Sequence, residues 1–291
     1  MIIDGTTNII GVIGDPIEHS FSPIINNAAF EYLNLNYVYL PFHVLSENLG
    51  SAIGGANKLN IKGLNVTIPH KKNVLVTLNH LDPIAKEIGA VNTIKFENNE
   101  AIGYNTDGIG CLHALENKTS VTNKDILVVG AGGASRAICH QLAHSGINSL
   151  TVINRDLAKA EELTSNIKNT GILSDLKYDN MDNLILQAQQ TDILINTTPL
   201  GMKGYPDQNP ILHADEIPED IIVNDIVYNP IETNLIKEAK EAGAKTVNGI
   251  KMLIYQAAEA IKIWTGEEAP KDIMENKLRE ILNTNIEEKK I

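Results

Sequence analysis

Short apolar runs alternate with amphipathic segments along most of the chain, and this alternation predicts α/β structure. In the first half, runs rich in β-branched and aromatic residues predict strands at Ile9 to Gly14, Tyr37 to Val44, Gly63 to Ile68 and Val91 to Phe96. The segments between them repeat apolar residues three and four positions apart. That period predicts helices near 22–35, 46–59 and 70–90.

A second alternation begins at Asp125. Its apolar runs predict strands at Ile126 to Val129, Leu150 to Asn154, Ile193 to Asn196 and Ile221 to Ile226, with weaker candidates near 173–178 and 245–248. Six strands with helices between them are typical of a doubly wound sheet. After Gly249 the pattern is helical, through Met252 to Trp264 and Asp272 to Leu282, and periodicity leaves open where these helices pack.

The composition is that of a soluble globular protein with an acidic excess. Hydrophobic residues make up 43% of the 291 positions, and 24 Lys and Arg stand against 36 Asp and Glu, for a formal net charge of −12. Because no basic run stands out either, we expect no nucleic-acid partner. No apolar stretch reaches the roughly 18 residues of a membrane helix, and the first residues do not resemble a signal peptide. We therefore expect a cytoplasmic protein without a membrane partner.

The cysteines and histidines do not indicate a metal site. Cys111 and Cys139 are the only two cysteines and form no Cys-x-x-Cys pattern, which predicts buried thiols rather than a disulfide or a thiolate metal site. His140 and His144 lie four apart on a predicted helix, but Gln141 stands where a His-Glu-x-x-His motif needs Glu. We expect a surface or packing role for these histidines and no metal.

A glycine-rich segment, GAGGASR at 130–136, joins the strand ending at Val129 to a helical pattern. In a strand, loop and helix of this order, glycines allow a tight turn and let backbone N–H groups at the helix start approach a pyrophosphate. Ser135 stands where the usual pattern has Gly or Ala. The alternative is a glycine-rich turn that binds nothing, but the order of elements favours a dinucleotide site.

The end of the following strand indicates which dinucleotide is bound. NAD sites usually carry an acidic residue about 20 positions past the glycines, whereas NADP sites place a cation near the 2′-phosphate. Here the segment reads NRDLAK at 154–159, and Arg155 and Lys159 are spaced to face one phosphate. These cations favour NADP. Asp156 opposes this interpretation, since its carboxylate would repel the phosphate or pair with the cations. The alternative is that Arg155, Asp156 and Lys159 are an ordinary surface cluster at a helix start.

Polar residues cluster at several places in the first half. Ser20 and Ser22 precede Pro23 at a predicted helix start, where two hydroxyls and a helix N-terminus suit a carboxylate, and a plain N-cap is the alternative. Asn65 and Thr67 lie on one face of a predicted strand end.

Lys71 lies one turn beyond Thr67, on the next predicted helix, where it could join these polar groups. The alternative is that this segment is only a strand end with a capped helix, and that Lys71 is a solvated lysine. Asn92 and Thr93, and the loop at 103–108 with Asp107, add amide, hydroxyl and carboxylate groups where ligand sites accumulate.

Together, these motifs resemble the shikimate dehydrogenase family. Eight segments follow in the order seen in that family: GVIGDPIEHSFSP at 11–23, NVTIPHK at 65–71, GAVNT at 89–93, NTDG at 105–108, GAGGASR at 130–136, INTTPLGM at 195–202, DIVY at 225–228 and NGIKMLIYQ at 248–256. The resemblance extends from residue 9 to about residue 265, and eight ordered motifs over that length do not arise by chance.

The resemblance implies an enzyme of chorismate and aromatic amino acid biosynthesis that interconverts 3-dehydroshikimate and shikimate with NADP(H) and without a metal. It implies two α/β domains: a substrate domain over 1–107, completed by C-terminal helices over 249–291, and a Rossmann-type dinucleotide-binding domain over 108–248. Lys71 and Asp107 would form the catalytic pair.

The resemblance also implies two sets of binding residues. The implied substrate-binding residues are Ser20, Ser22, Asn65, Thr67, Lys71, Asn92, Asp107, Tyr228 and Gln256. The cofactor-binding residues expected from the glycine loop, the second strand end and the resemblance are Gly130, Ala131, Gly132, Gly133, Ala134, Asn154, Arg155, Lys159, Thr197 and Gly249.

Hydride transfer to a ketone leaves an alkoxide that needs a proton, so the protein must provide an acid. The sequence leaves open whether Lys71 or Asp107 transfers it. Asp156 occupies a place where the family has Thr, which keeps open a broader quinate/shikimate dehydrogenase that also uses NAD. A rival of another class is a nucleotide-binding regulator without catalysis, and the presence of both Lys71 and Asp107 argues against it. The oligomeric state is also open, with a homodimer as one candidate.

Overall fold

The computed structural model describes residues 2–287, with side chains described over 2–282. The chain forms two compact units. The first comprises the chain up to Thr106 and the segment from Ile254 onward, and the second comprises Asp107–Leu253. Residues 1 and 288–291 of the predicted first domain lie outside the described part. Over that part, no helix combines the length and the apolar character needed to cross a membrane.

The first unit is built on a mixed six-stranded sheet. Before Thr106 its elements are β1 (Asn8–Gly14), α1 (Ser22–Tyr32), β2 (Tyr37–His43), α2 (Leu49–Lys58), β3 (Gly63–Val66), β4 (His80–Leu81), α3 (Pro83–Ile88), β5 (Thr93–Glu97) and β6 (Glu100–Tyr104). The strand order is β2-β1-β3-β5-β6-β4. Strands β1, β2 and β3 are parallel, β5 runs antiparallel to both its neighbours, and β4 is parallel to β6.

The register of this sheet brings polar residues together. Asn65 of β3 lies opposite Thr93 of β5, in a sheet whose surrounding core is aliphatic. Both side chains are buried. Because buried polar groups require hydrogen-bond partners, these two residues must satisfy each other or further polar groups nearby.

The helix predicted over 70–90 is wrong. The segment instead contains a 3-10 turn at Asn73–Thr77, the short strand β4 and the helix α3. Asp82 caps α3 by accepting from the Ile84 N–H at 3.0 Å, Pro83 occupies its first turn, and Gly89 ends it with φ +68°. These start and stop residues divided an apolar periodicity that had suggested one continuous helix.

The sequence pattern does not predict strand β6, whose last two residues fall in the loop expected at 103–108. β5 and β6 form a hairpin whose turn residues Asn98 and Asn99 have φ of +53° and +64°. Positive φ at both central residues is the requirement of a type I′ turn, which asparagine tolerates. The Asn-Asn pair was therefore an available signal for the hairpin.

The second unit contains a sheet of six parallel strands. Its elements are α4 (Asp107–Glu116), β7 (Asp125–Val129), α5 (Gly133–Ala143), β8 (Ser149–Ile153), α6 (Leu157–Thr170), β9 (Leu176–Asp179), α7 (Leu184–Ala188), β10 (Ile193–Asn196), β11 (Ile222–Asp225), α8 (Asn234–Glu241) and β12 (Lys245–Val247). The strand order is β12-β11-β10-β7-β8-β9. The predicted doubly wound sheet is confirmed, and α4 is an element that the sequence had not indicated.

The strand order reverses between β7 and β10, which lie side by side at the centre of this sheet. Ligands of doubly wound proteins bind beyond the carboxyl ends of the strands at this switch point. The central strands are buried throughout, except for the half-buried Asp125 at the start of β7, as expected for a sheet with helices on both faces.

Two helices complete the chain, as the periodicity predicted: α9 (Gly249–Thr265) and α10 (Lys271–Glu287). In the first unit, α10 packs against α1. The Trp264 indole of α9 donates to the Ile94 carbonyl of β5 at 2.9 Å. This part of α9 is therefore fixed to the first sheet. Cys111 and Cys139 are both buried free thiols, as predicted.

Candidate active site

The glycine loop leaves β7 at the switch point. Gly130 has φ +111°, and a Cβ there would lie 2.4 Å from the Thr197 hydroxyl oxygen at the end of β10. Thr197 in turn donates its hydroxyl proton to the Val129 carbonyl at 2.7 Å. Only glycine combines this backbone conformation with so close an approach. The predicted cofactor residues Gly130 and Thr197 thus lie together.

The start of α5 is open to a ligand. Gly132 is its N-cap and provides no side-chain cap, and a Cβ at Gly132 or Gly133 would meet open space. Ala134 lies in the same first turn, and Ala131 immediately precedes Gly132 in the loop. Uncapped N–H groups at the start of a helix, with the helix dipole behind them, suit a pyrophosphate. These residues therefore fit the phosphates of a dinucleotide.

Ser135 explains the imperfect match of the loop to the usual pattern. Its side chain is fully buried, and its hydroxyl donates to the Gly130 carbonyl at 2.6 Å. The serine closes the loop onto its own first residue, so its hydroxyl stabilises the turn.

The segment after β8 lies at the surface. Asp156 is the N-cap of α6, and its Oδ2 lies 3.3 Å from the Lys159 Nζ. The side-chain amide of Asn154 donates to the Asp156 carbonyl at 2.9 Å. Asp156 thus engages one of the two cations assigned to a 2′-phosphate, which is one of the two effects that its carboxylate was expected to have. Arg155 is exposed beside this pair.

Gly249 has a packing reason to be glycine. A Cβ there would lie 2.2 Å from the Ile226 carbonyl oxygen, so the start of α9 can approach the segment after β11 only without a side chain. A cofactor contact for Gly249 stays a prediction.

The helix α1 presents hydroxyl groups at its start. Ser22 is its first residue and Phe21 its N-cap, with no side-chain cap, so neither serine is the plain N-cap considered above. The Ser22 N–H donates to Ser20 Oγ at 3.3 Å, and the Ile24 N–H donates to the Phe21 carbonyl at 3.1 Å. Pro23 has no N–H. The first-turn donors are thus occupied, and this site offers hydroxyls to a carboxylate instead of backbone N–H groups.

Asn65 is the centre of a buried hydrogen-bond network. Its Oδ1 accepts from the Tyr39 hydroxyl at 2.6 Å, and its Nδ2 donates to the Asn92 carbonyl at 3.1 Å and to the Thr93 hydroxyl at 3.0 Å. Thr93 passes its own proton to Asn92 Oδ1 at 2.9 Å, and Asn92 Nδ2 donates to Thr106 at 2.9 Å. Since both amide protons of Asn65 are used, only its oxygen can serve a ligand, as an acceptor.

Residues 67–71 form a tight connection after β3. The Thr67 N–H donates to the Ile13 carbonyl at 3.0 Å, and the His70 N–H donates to the Thr67 carbonyl at 2.9 Å. The Lys71 carbonyl accepts from the Val91 N–H at 2.8 Å. Thr67 and Lys71 are half-buried. Their backbone is thus held by β1, through Ile13, and by the segment that precedes β5, through Val91.

Asp107 is the first residue of α4 and is buried. A carboxylate at this end of a helix is stabilised by the helix dipole. It follows Thr106, whose backbone N–H donates to Asn92 Oδ1 at 2.8 Å. The first residue of α4 is therefore joined to the polar network around Asn65 by a single peptide bond.

A buried carboxyl group lies at the end of β11. Asp225 is fully buried and accepts from Asn196 Nδ2 at 3.0 Å, from the Thr233 hydroxyl at 2.6 Å and from the Val227 N–H at 3.1 Å. Burial raises its pKa to about 6. The three hydrogen bonds favour the charged form and lower the pKa, but the effect of burial is larger. Tyr228, three residues later, also has its pKa raised by burial.

The predicted substrate-binding and cofactor-binding residues are divided between the two units. The first unit contains Ser20, Ser22, Asn65, Thr67, Lys71, Asn92 and Gln256, which lies on α9. The second contains Asp107, Tyr228 and all the predicted cofactor residues. Over the described part of the chain, no group of three or more His, Cys, Asp or Glu side chains is arranged to hold a metal ion.

Sequence reasoning missed two residues of these networks: Tyr39, and Ser135 as the residue that closes the glycine loop. Tyr39 had one available signal. It is a polar-tipped residue at an inward position of a β-pattern, and a buried tyrosine hydroxyl normally finds a partner.

Three family models match the chain. They describe a shikimate dehydrogenase substrate binding domain over residues 12–94, a shikimate/quinate 5-dehydrogenase over 113–222, and a shikimate 5′-dehydrogenase C-terminal domain over 249–279. Together they cover more than half of the chain.

Individual relatives match over nearly their full lengths. The NADP(+) shikimate dehydrogenase of Methanobrevibacter smithii is 54% identical over 97% of this chain and 100% of its own. A crystal structure of a shikimate dehydrogenase in complex with NADP+ superposes with a TM-score of 0.92 at 47% identity, covering 97% of this chain and 98% of that one. The crystal structure of the Listeria monocytogenes shikimate 5-dehydrogenase, in complex with shikimate and NAD, superposes with a TM-score of 0.89 at 36% identity. The match covers 95% of this chain and 98% of that one. The chain belongs to the shikimate dehydrogenase family.

Proposed function

We propose that the protein is an NADP-dependent shikimate dehydrogenase, which reduces 3-dehydroshikimate to shikimate reversibly. The observation that carries the proposal is the glycine loop at the switch point of the parallel sheet, with an uncapped helix start suited to a pyrophosphate. The substrate follows from the family, whose models match residues 12–94, 113–222 and 249–279.

The substrate residues divide by chemistry. Ser20 and Ser22 hold the carboxylate with their hydroxyls, since the backbone donors of this helix start are occupied. Asn65 accepts from a ring hydroxyl, because its two N–H donors are already used. Thr67, Asn92, Asp107 and Gln256 bind the remaining hydroxyls, with Tyr228 close by. A charged group and several directional hydrogen bonds give the selectivity that a small polyhydroxy acid requires.

The cofactor residues divide in the same way. Gly130, Ala131, Gly132, Gly133 and Ala134 hold the pyrophosphate, with Thr197 and Gly249 adjoining. Asn154, Arg155 and Lys159 face the adenosine ribose and its 2′-phosphate. When bound, NADPH supplies a hydride and no proton.

The proton comes from this chain. Lys71 and Asp107 act as a pair on the oxygen of the reacting carbon: one gives the proton in reduction and takes it in oxidation, and the other holds its partner in place. The backbone tie between Lys71 and Val91 keeps the lysine at a fixed point of the first unit.

A second candidate is a quinate/shikimate dehydrogenase that also uses NAD. The exposed Asp156 favours it, because its pairing with Lys159 withdraws a cation from the 2′-phosphate.

The decisive experiment is steady-state oxidation of shikimate and of quinate, each with NADP and with NAD. We expect the highest kcat/KM for shikimate with NADP. A higher kcat/KM with NAD, or comparable turnover of quinate, would select the second candidate. The absence of shikimate oxidation with either cofactor would refute both.

A further inference from the structure

Asp225 is a buried acidic group to which the proposed reaction gives no role. Its carboxylate accepts from Asn196 Nδ2 at 3.0 Å, from the Val227 N–H at 3.1 Å and from the Thr233 hydroxyl at 2.6 Å. All three donors are neutral, and over the described part of the chain no Lys, Arg or His side chain pairs with this carboxylate. Since buried charges are normally paired with opposite charges, Asp225 is an uncompensated negative charge.

The hydrogen bonds around Asp225 suit its charged form. Two of its three partners, the side-chain amide of Asn196 and a backbone N–H, can only donate to it, and the Thr233 hydroxyl donates the third bond. Burial raises the pKa of Asp225 to about 6. The group is therefore a carboxylate at pH 8 and above.

This carboxylate lies at the edge of the second sheet where a dinucleotide binds. Asp225 and Asn196 are the last residues of β11 and β10 and are paired in the register of these strands. The glycine loop follows β7, and the segment proposed for the 2′-phosphate follows β8. Doubly wound sheets bind a dinucleotide across the switch point, one half on each side. The carboxyl ends of β10 and β11 are therefore left for the nicotinamide half.

The oxidised and reduced forms of this cofactor differ in charge at the nicotinamide. The ring of NADP+ carries one positive charge, and the added hydride neutralises it in NADPH. A fixed negative charge on the same side of the switch point therefore favours NADP+ over NADPH. Because Asp225 is fully buried, solvent screens its field less than that of a surface carboxylate.

We propose that Asp225 acts through its charge to stabilise the oxidised cofactor, and thereby sets the balance between bound NADP+ and bound NADPH. It acts from inside the fold, since its side chain is fully buried and its oxygens accept from three protein donors. This inference rests on the proposed function, which supplies the cofactor.

Asp225→Asn tests the proposal, because it removes the charge and keeps the shape. At pH 8.5 and without substrate, titration calorimetry should show Kd for NADP+ rising about fivefold, with Kd for NADPH constant within about twofold. A change of about fivefold is the size expected of a unit charge that acts over roughly 15 Å at an effective dielectric constant of about 20. Asp182→Asn, exposed in the same unit, is the control and should change neither Kd.

Thr233→Val separates the charge from the hydrogen bonds that surround it. It removes one donor and leaves the carboxylate charged at pH 8.5, so the ratio of the two Kd values should stay within about twofold of wild type. An unchanged Kd for NADP+ in Asp225→Asn, or equal weakening of both nucleotides, would overturn the proposal. So would a Thr233→Val variant that shifts the ratio as far as Asp225→Asn does.

If Asp225→Asn does not fold, as judged by circular dichroism, Asp225→Ser provides the same comparison, because it also removes the charge. Failure of both variants to fold would show that the carboxylate serves the fold instead, and would overturn the proposal. A wild-type protein that binds neither NADP+ nor NADPH would refute the proposed function, and this inference with it.

Discussion

The Nε2 of His70 donates to the carbonyl oxygen of Val44 over 2.6 Å. A carbonyl can only accept, so Nε2 carries a proton. The Nδ1 atom is buried and has no partner among the described residues. Through this bond, the fully buried ring holds the segment that contains Lys71 against Val44, the residue that follows β2.

His70→Phe is expected to destabilise the protein. It replaces the ring with one of similar shape and leaves the buried Val44 carbonyl without its donor, which should lower the free energy of unfolding by about 1 to 3 kcal/mol. Urea unfolding measures this. His80→Phe is the control, because His80 is exposed and should change stability by less than about 0.5 kcal/mol. Equal stability of His70→Phe and wild type would show that the Val44 bond contributes nothing.

Lys71→Ala is expected to lower kcat by about 10² to 10⁴ with little change in the shikimate KM, because proton transfer acts in the transition state. The neighbouring Lys72→Ala provides a control of equal charge, since Lys72 is exposed one position along the same connection. Steady-state kinetics with saturating NADP distinguish the two variants. Near-normal kcat in Lys71→Ala would remove this lysine from catalysis.

Asp225 should make stability depend on pH. Burial raises its pKa to about 6 in the folded protein, above the ordinary value of an aspartate near 4, so the folded state binds more protons between these two values. Stability from this group is therefore greatest below about pH 4 and is lost as pH rises through 6. Above that window the charged, buried carboxylate destabilises the fold relative to a neutral one.

The matching variant is Asp225→Asn, which keeps the shape and does not titrate. Relative to wild type, it should gain about 2 kcal/mol in unfolding free energy between pH 4 and pH 7.5. Urea unfolding across this range, with the exposed Asp182→Asn as control, measures the difference. A stability difference between Asp225→Asn and wild type that stays constant with pH would contradict the raised pKa.

The second sheet could be predicted because its strands are continuous apolar runs separated by helical patterns. In β7 the residues 126–129, and in β10 all four residues, are buried, so their composition alone identifies these strands. The first sheet was predicted less completely. Its last strands form a hairpin around Asn98 and Asn99, and β4 has only two residues, which periodicity cannot detect.

The candidate site shows a similar division. Residues with recognisable motifs, such as Gly130 and Lys71, could be selected from the sequence. Tyr39 was harder to select, because its hydrogen bond to Asn65 depends on the sheet order that places β2 and β3 on either side of β1, and on the two hydrogen bonds between its backbone and the Asn27 side chain. Hydrogen-bond partners 26 positions apart, as Tyr39 and Asn65 are, leave no local pattern in the chain.

The preference for NADP over NAD should depend on Arg155, Asp156 and Lys159, which lie together after β8. NADP differs from NAD only by the 2′-phosphate, which a guanidinium can bind in two places at once. Arg155→Ala should therefore raise KM for NADP and leave KM for NAD unchanged. Arg279→Ala, which removes an arginine paired with Glu275 on α10, is the control of equal charge and should affect neither.

Asp156→Thr should act in the opposite direction. It removes a carboxylate that lies 3.3 Å from Lys159, which releases this cation to the phosphate and ends a repulsion. We expect the ratio of kcat/KM for NADP to that for NAD to rise by about twofold to fivefold, in line with one exposed charge pair. The gain should shrink at high salt because these side chains are exposed to solvent and screened. If Asp156→Thr improves both cofactors equally, the carboxylate does not oppose the 2′-phosphate. If Arg155→Ala weakens both equally, the guanidinium contacts a part common to the two nucleotides.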